Sequence, residues 1–102
     1  MSEVERLADR AIVKPGMDLV ASMVQEFKKE MKSILEDNPE QIVINLDGVE
    51  MIDSVGIGVL IATHNTLSKL GGKLTIINAS ANIYGLFKTM RLDKHFAVSE
   101  SS

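Results

Sequence analysis

The stretch Gln41-Ile-Val-Ile-Asn-Leu46, followed by the turn residues Asp47-Gly48, by Met51-Ile52-Asp53-Ser54-Val55-Gly56-Ile57-Gly58 and by a long apolar-rich run ending at Leu70-Gly71-Gly72, decides the fold. Residues 41–46 form a short β-branched run bounded by turn residues, the pattern of a central strand buried on both faces. From Val55 to Leu70 the pattern turns helical, and Gly71-Gly72 supplies a left-handed stop. Lys73 to Ile77 is again strand-like. A strand, a helix and a second strand in this order need a crossover long enough to return over one sheet face, which makes the two strands parallel and the connection right-handed.

Working outward, Val4 to Val13 carries two short apolar pieces around Ala8-Asp9-Arg10 and reads as a small hairpin or interrupted edge strand stopped at Pro15-Gly16. Between Leu19 and Glu36, Val20, Met23, Val24, Phe27, Met31, Ile34 and Leu35 recur at helical spacing, with Gln25, Glu26, Lys28, Lys29 and Lys32 opposite them. Asn38-Pro39 ends that helix. Ala81 to Met90 is a third amphipathic helix, and His95 to Val98 a last strand. The expected class is therefore α/β: a single small domain over residues 1–102, with a mostly parallel central sheet and helices packed mainly on one face. Residues 1–15 form its N-terminal strand region and residues 99–102 a flexible serine-rich tail.

Composition narrows the function. The 102 residues are 45% hydrophobic and 25% charged, near globular averages and unlike a disordered chain. A net charge of −3 opposes binding that depends on neutralising phosphates, so nucleic acid is not an expected partner. With no cysteine there is no thiolate chemistry and no cysteine-based metal site, and two histidines alone argue against a metal enzyme. The N-terminus lacks a charged-then-apolar leader, and no run approaches the roughly 18 apolar residues of a membrane span. A cytoplasmic protein without membrane insertion is expected.

Asp53 and Ser54 stand where a strand passes into a helix, the place where free backbone N–H groups and the positive end of the helix dipole face outward. Both residue types are good helix caps, and capping alone accounts for their presence there. Gly56 and Gly58 would let the helix start lie close to a neighbour. Gly56-x-Gly58 lacks a third glycine at Ile61, so a dinucleotide fingerprint is incomplete. Ser54 as a nucleophile needs a base, and His64, ten residues further along the same helix, lies about 15 Å away. Nothing in the sequence places His95 near it, and no catalytic residue is assigned.

At 100° per residue, Gly56, Val59, Leu60, Thr63, Leu67 and Leu70 make one stripe, the natural core face. Ser54, Ile57, Gly58, Ile61, Asn65 and Ser68 lie opposite. Ile57 and Ile61 are thus apolar residues expected to face solvent beside a polar helix start, either as scattered surface aliphatics or as a protein-binding patch.

The segment from Ile42 to Leu60 resembles the signature of STAS domains, specifically the anti-sigma-factor antagonists of bacterial partner-switching systems. Gly71-Gly72-Lys-Leu-Thr-Ile-Ile-Asn78 and Ile83-Tyr-Gly-Leu-Phe87 match that family's next strand and helix. The resemblance implies no enzymatic activity of the protein's own. It makes Ser54, the serine directly after the aspartate, the phosphate acceptor. A partner serine kinase, usually an ATP-binding anti-sigma factor, would phosphorylate it, and a serine phosphatase would reset it. No cofactor belongs to this chain; ATP and Mg belong to the kinase. Asp53, Gly56 and Gly58 would support the acceptor, with the helix N–H groups meeting the product phosphate, while Met51, Ile57, Ile61 and Asn65 would touch the partner. Val55 departs from the family's usual Ser or Thr, and Pro15-Gly16-Met17-Asp18 matches the usual Gly-x-Leu-Asp turn only with a one-residue shift. The alternative is a constitutive STAS adaptor in a transport or scaffolding complex, in which the serine has no phosphoryl role.

Overall fold

The computed structural model describes residues 2–100. Its single sheet has five strands in the order β1 (Glu3–Arg6), β2 (Arg10–Lys14), β3 (Gln41–Asn45), β4 (Lys73–Ala79) and β5 (Ala97–Glu100). β1 and β2 form an antiparallel hairpin with Glu3 opposite Lys14 and Arg6 opposite Ala11, and all later pairings are parallel. Three helices, α1 (Val24–Leu35), α2 (Ser54–Lys69) and α3 (Ala81–Thr89), make the crossovers.

Register explains the layering. Ala11, Ile42 and Leu74 are neighbours across the sheet, as are Val13, Ile44 and Ile76, and all six are buried with the apolar faces of the helices in one core. Ile12, Val43 and Thr75 alternate onto the opposite face and are only half-buried. β3 is therefore covered fully on one face rather than two, because the helices occupy a single layer.

The ends of the elements show where local signals were followed. Gly71 sits at φ 82° and the Gly72 N–H donates to the Leu67 carbonyl at 2.7 Å, closing α2 with the left-handed stop that the paired glycines suggest. Ser80 Oγ accepts from the Ile83 N–H at 3.3 Å and caps α3. β4 runs two residues beyond Ile77, to Ala79.

Two elements depart from the sequence reading. α1 begins at Val24 instead of Leu19. The Leu19 N–H donates to the Met51 carbonyl and the Leu19 carbonyl accepts from the Asp53 N–H, so Leu19 forms an extended parallel bridge with Ile52 and cannot be helical. Met23, expected on the core stripe, is consequently outside the helix proper and 43% exposed. At the other end, a 3-10 turn over Leu92–Lys94 takes the His95 and Phe96 N–H groups onto the Leu92 carbonyl, which delays β5 to Ala97. Ser99 and Glu100 belong to that strand rather than to a tail, and the remaining tail residues, Ser101 and Ser102, lie outside the described residues.

Candidate functional site

The carboxyl end of β3 leads through Asp47-Gly48 to a segment, residues 50–53, that is laced to residues 18–21. The Asp18 carboxylate accepts from the Glu50 and Met51 N–H groups, both at 3.1 Å. Leu19 is bonded to Met51 and to Asp53 through its own backbone. Asp53 completes the lacing. Its backbone is extended, its Oδ1 accepts from the Val55 and Gly56 N–H groups at 3.0 Å, and its Oδ2 accepts from the Ala21 N–H at 2.9 Å. Hydrogen bonds from the Gly56 and Ala21 N–H groups, which outweigh the opposing desolvation, and further ones from Val55 favour the ionised form and hold the Asp53 carboxyl below the ordinary aspartate value.

Ser54 is the first residue of α2 and is exposed. Gly56 is required at its position, since a Cβ there would stand 2.0 Å from the Leu19 carbonyl oxygen. The helix start therefore does approach a neighbour closely, but through Gly56 alone. Gly58 faces open space and leaves the surface one turn below Ser54 flat.

The expected faces of α2 need correction. Ile57, assigned to the solvent side, is buried at 4% exposure, and Ile61 is half-buried. Leu70, assigned to the core, is 52% exposed. α2 is flanked on two sides: Val59 and Thr63 face a groove shared with Met31 and Leu35 of α1, while Ile61 and His64 border Leu92 and Phe96. Its buried arc is thus wider than one stripe. The exposed residues of the helix are Ser54, Val55, Gly58, Ala62, Asn65, Thr66, Ser68 and Lys69. Of the expected contact residues, Met51 at 62% exposure and Asn65 are open, Ile61 is partly open and Ile57 is withdrawn from the surface.

Two other apolar residues are exposed. Val55 is 43% exposed directly beside Ser54, and Met23 is equally exposed two residues after Ala21, whose N–H is held by Asp53. Val55 was readable as an apolar residue at a helix start. Met23 was not, because its spacing matches a core position. Met51, Val55 and Met23 are thus exposed apolar residues on the two segments, distant in sequence, that Asp53 ties together. A cleft of about 530 Å³ lies elsewhere, lined by Lys14, Pro15, Gly16, Asp47 and Gly48, and neither Asp53 nor Ser54 borders it.

Asp53 already occupies the anion seat at the α2 N-terminus. The Val55 and Gly56 N–H groups are bonded to its side chain and the Ile57 N–H to its carbonyl, so those three are not free to meet a phosphate on Ser54. A carboxylate with three backbone donors and a lowered pKa is also a weak base. His95 lies beside His64, ring centres 6.2 Å apart, and His64 is roughly 15 Å along α2 from Ser54, which puts both imidazoles beyond hydrogen-bond reach of its hydroxyl. Among the described residues no group of three or more metal-ligating side chains occurs, and no helix is long and apolar enough to cross a membrane.

The site is thus an exposed serine at a helix start with the exposed apolar residues Met51 and Val55 close to it in the chain, carried on a small α/β domain with a mostly parallel sheet. The chain belongs to the STAS domain family, whose family model matches residues 2–102. An anti-sigma-B factor antagonist of Staphylococcus aureus is 29% identical over 90 residues, covering 88% of this chain and 83% of the relative. Among solved structures, the Thermotoga maritima protein TM1081 superposes with a TM-score of 0.88 at 22% identity, over 97% of this chain and 86% of that one. The Bacillus cell fate determinant SpoIIAA in its phosphorylated form gives a TM-score of 0.75 at 16% identity, over 96% of this chain and 90% of that one.

Proposed function

We propose that this protein is a cytoplasmic anti-sigma-factor antagonist. It binds an anti-sigma factor that is also a serine kinase through the surface around Ser54, is released when Ser54 is phosphorylated, and is reset by a serine phosphatase. It carries out no catalysis of its own; ATP and Mg sit on the kinase. The name of the Staphylococcus aureus relative and the phosphorylated state of SpoIIAA support this reading. The observation that carries it is the exposed Ser54 hydroxyl at the first position of α2, beside a helix anion seat that Asp53 fills.

The chemistry of the switch follows. Unmodified, Ser54 is small and neutral, and a partner covering Met51, Val55 and Gly58 buries apolar surface beside a single carboxylate, Asp53, whose charge is already met by three backbone N–H groups. A phosphate adds about −1.5 to −2 charges next to an ionised Asp53 whose donors are already engaged. The new dianion gains little from the helix N-terminus, repels Asp53 and must be desolvated when the partner returns. A penalty of about 3 kcal/mol weakens binding more than a hundredfold. No refolding is required.

The test is incubation of the purified chain with host-cell extract and ATP, followed by mass spectrometry of Ser54 and of captured proteins. Phosphate on Ser54, with an ATP-binding partner captured by wild type and lost on Ser54→Asp, is the expected result. An unmodified Ser54 with transporter subunits captured equally by both would overturn it in favour of the adaptor alternative.

A further inference from the structure

Between α1 and α2 runs an open groove of about 420 Å³, which neither Asp53 nor Ser54 borders. Buried Met31 and Val59 and half-buried Leu35 line it, and exposed Ala62 adds only a methyl group. The hydroxyl of Thr63, also buried, donates to the Val59 carbonyl at 2.8 Å, so its donor is engaged within the helix. The lining between the helices is therefore almost wholly apolar. Charge stands on one wall alone: α1 brings exposed Lys28 and Lys32, one turn apart, and Glu36 at its end, whereas α2 brings no charged residue to the groove. Lysines at i and i+4 have Cβ atoms about 5–6 Å apart and repel each other. Among the described residues neither has an ion-pair partner. Two adjacent, uncompensated ammonium groups on the rim of an apolar groove are the complement of an anion with an apolar tail.

We propose that this groove binds a medium-chain alkyl carboxylate, a free fatty acid, with its carboxylate between Lys28 and Lys32 and its chain along Met31, Leu35 and Val59. The volume falls within the roughly 300–1,000 Å³ of small-molecule sites, which are mainly apolar with a few polar groups that fix orientation. From Lys28 to Glu36 the groove follows about 12 Å of helix, so the chain lies along it rather than entering end-on. Glu36 repels a carboxylate and thereby sets the direction of the bound molecule. The methylene stems of the two lysines cover part of the chain while their heads stay in water. A protein helix is the other occupant that an apolar groove accepts. The positive charge is gathered at one place, with an acidic residue beyond it, and this matches a single anionic head better than an acidic stripe running the length of a helix.

The experiment titrates the full chain with sodium decanoate below its micelle concentration at neutral pH, followed by amide NMR shifts and calorimetry, with hexanoate and decanol as comparisons. Saturation at one molecule per chain is expected, with the largest shifts at Met31, Leu35, Val59 and Ala62. Decanoate should bind about tenfold or more tighter than hexanoate, which buries fewer methylenes. Lys28→Gln combined with Lys32→Gln, which alters only exposed side chains without ion-pair partners, should weaken decanoate severalfold and leave decanol unchanged. Ala62→Leu, at an exposed helix position, fills the groove and should abolish binding of both. Absence of saturable shifts, shifts gathered around Met51 and Val55 instead, or equal decanoate affinity in wild type and the double lysine variant overturns the proposal. A groove silent to decanoate whose amides shift only with a purified protein partner overturns it in favour of a protein contact.

Discussion

The Asp53 carboxylate and the Ala21 backbone N–H are joined at 2.9 Å by Oδ2, while the other oxygen of the same carboxylate caps α2. One side chain therefore sets both the start of the helix bearing Ser54 and the position of the turn bearing Met23. Removing it should loosen two segments at once. Asp53→Ala is expected to lower the melting temperature by about 5–10 °C, and amide exchange should speed up at Ala21 as well as at Val55 and Gly56. Exchange confined to the helix start would show that the link to Ala21 carries no weight.

The same carboxylate predicts a pH dependence. Its folded pKa lies below the unfolded value of 3.8, so its contribution to stability is present above that value and is lost as the pH falls through the lower folded pKa. The stability difference between wild type and Asp53→Asn should be full at neutral pH and shrink toward zero in strong acid. Urea denaturation at several pH values measures it, and a difference that grows on acidification would contradict the assigned bonds.

Gly56 and Gly58 should respond oppositely to the same change. Gly56→Ala forces a Cβ into the Leu19 carbonyl, with an expected loss of about 1–3 kcal/mol or more, because backbone must move. Gly58→Ala meets nothing and replaces a poor helix former, so it should stabilise by up to about 1 kcal/mol. Chemical denaturation of the two variants decides this, and equal effects would mean that the α2 start is not packed on Leu19 as described.

Ser54→Asp should weaken partner binding by a hundredfold or more while the melting temperature stays within a few degrees, since Ser54 is exposed and an acidic residue suits the first turn of a helix. Calorimetry with the purified partner gives the affinity. Unchanged affinity would place the switch elsewhere on the domain.

Ile57 and Val55 separate folding from recognition. Ile57→Ala should cost the free domain about 2–5 kcal/mol as a core truncation, whereas Val55→Ser should cost well under 1 kcal/mol and instead reduce binding severalfold. Met23→Gln should behave like Val55→Ser. If Met23→Gln leaves binding intact, the turn at residues 20–23 lies outside the contact surface.

What the sequence determined by itself was everything carried by short-range signals. The β-branched run at 41–46, the Asp53-Ser54 start and the Gly71-Gly72 stop specify strand, helix and boundaries through local backbone chemistry, and the order of elements then leaves the parallel sheet as the economical arrangement. That a cap lies at Asp53-Ser54 followed from residue type and position, whereas the tertiary structure made Asp53 the cap and Ser54 the first helical residue. The tertiary structure alone decided which side of each element met another. Ile57 is buried although the periodicity points it outward; α2 is covered on two sides, by α1 and by the segment around Leu92 and Phe96, whereas a hydrophobic stripe records one packing partner. Leu19 is extended and Met23 exposed because backbone bonds to Met51 and Asp53, more than thirty residues away in the chain, outweigh helical spacing. The meeting of His64 with His95 likewise depends on where the 3-10 turn docks, a long-range contact with no sequence period to announce it.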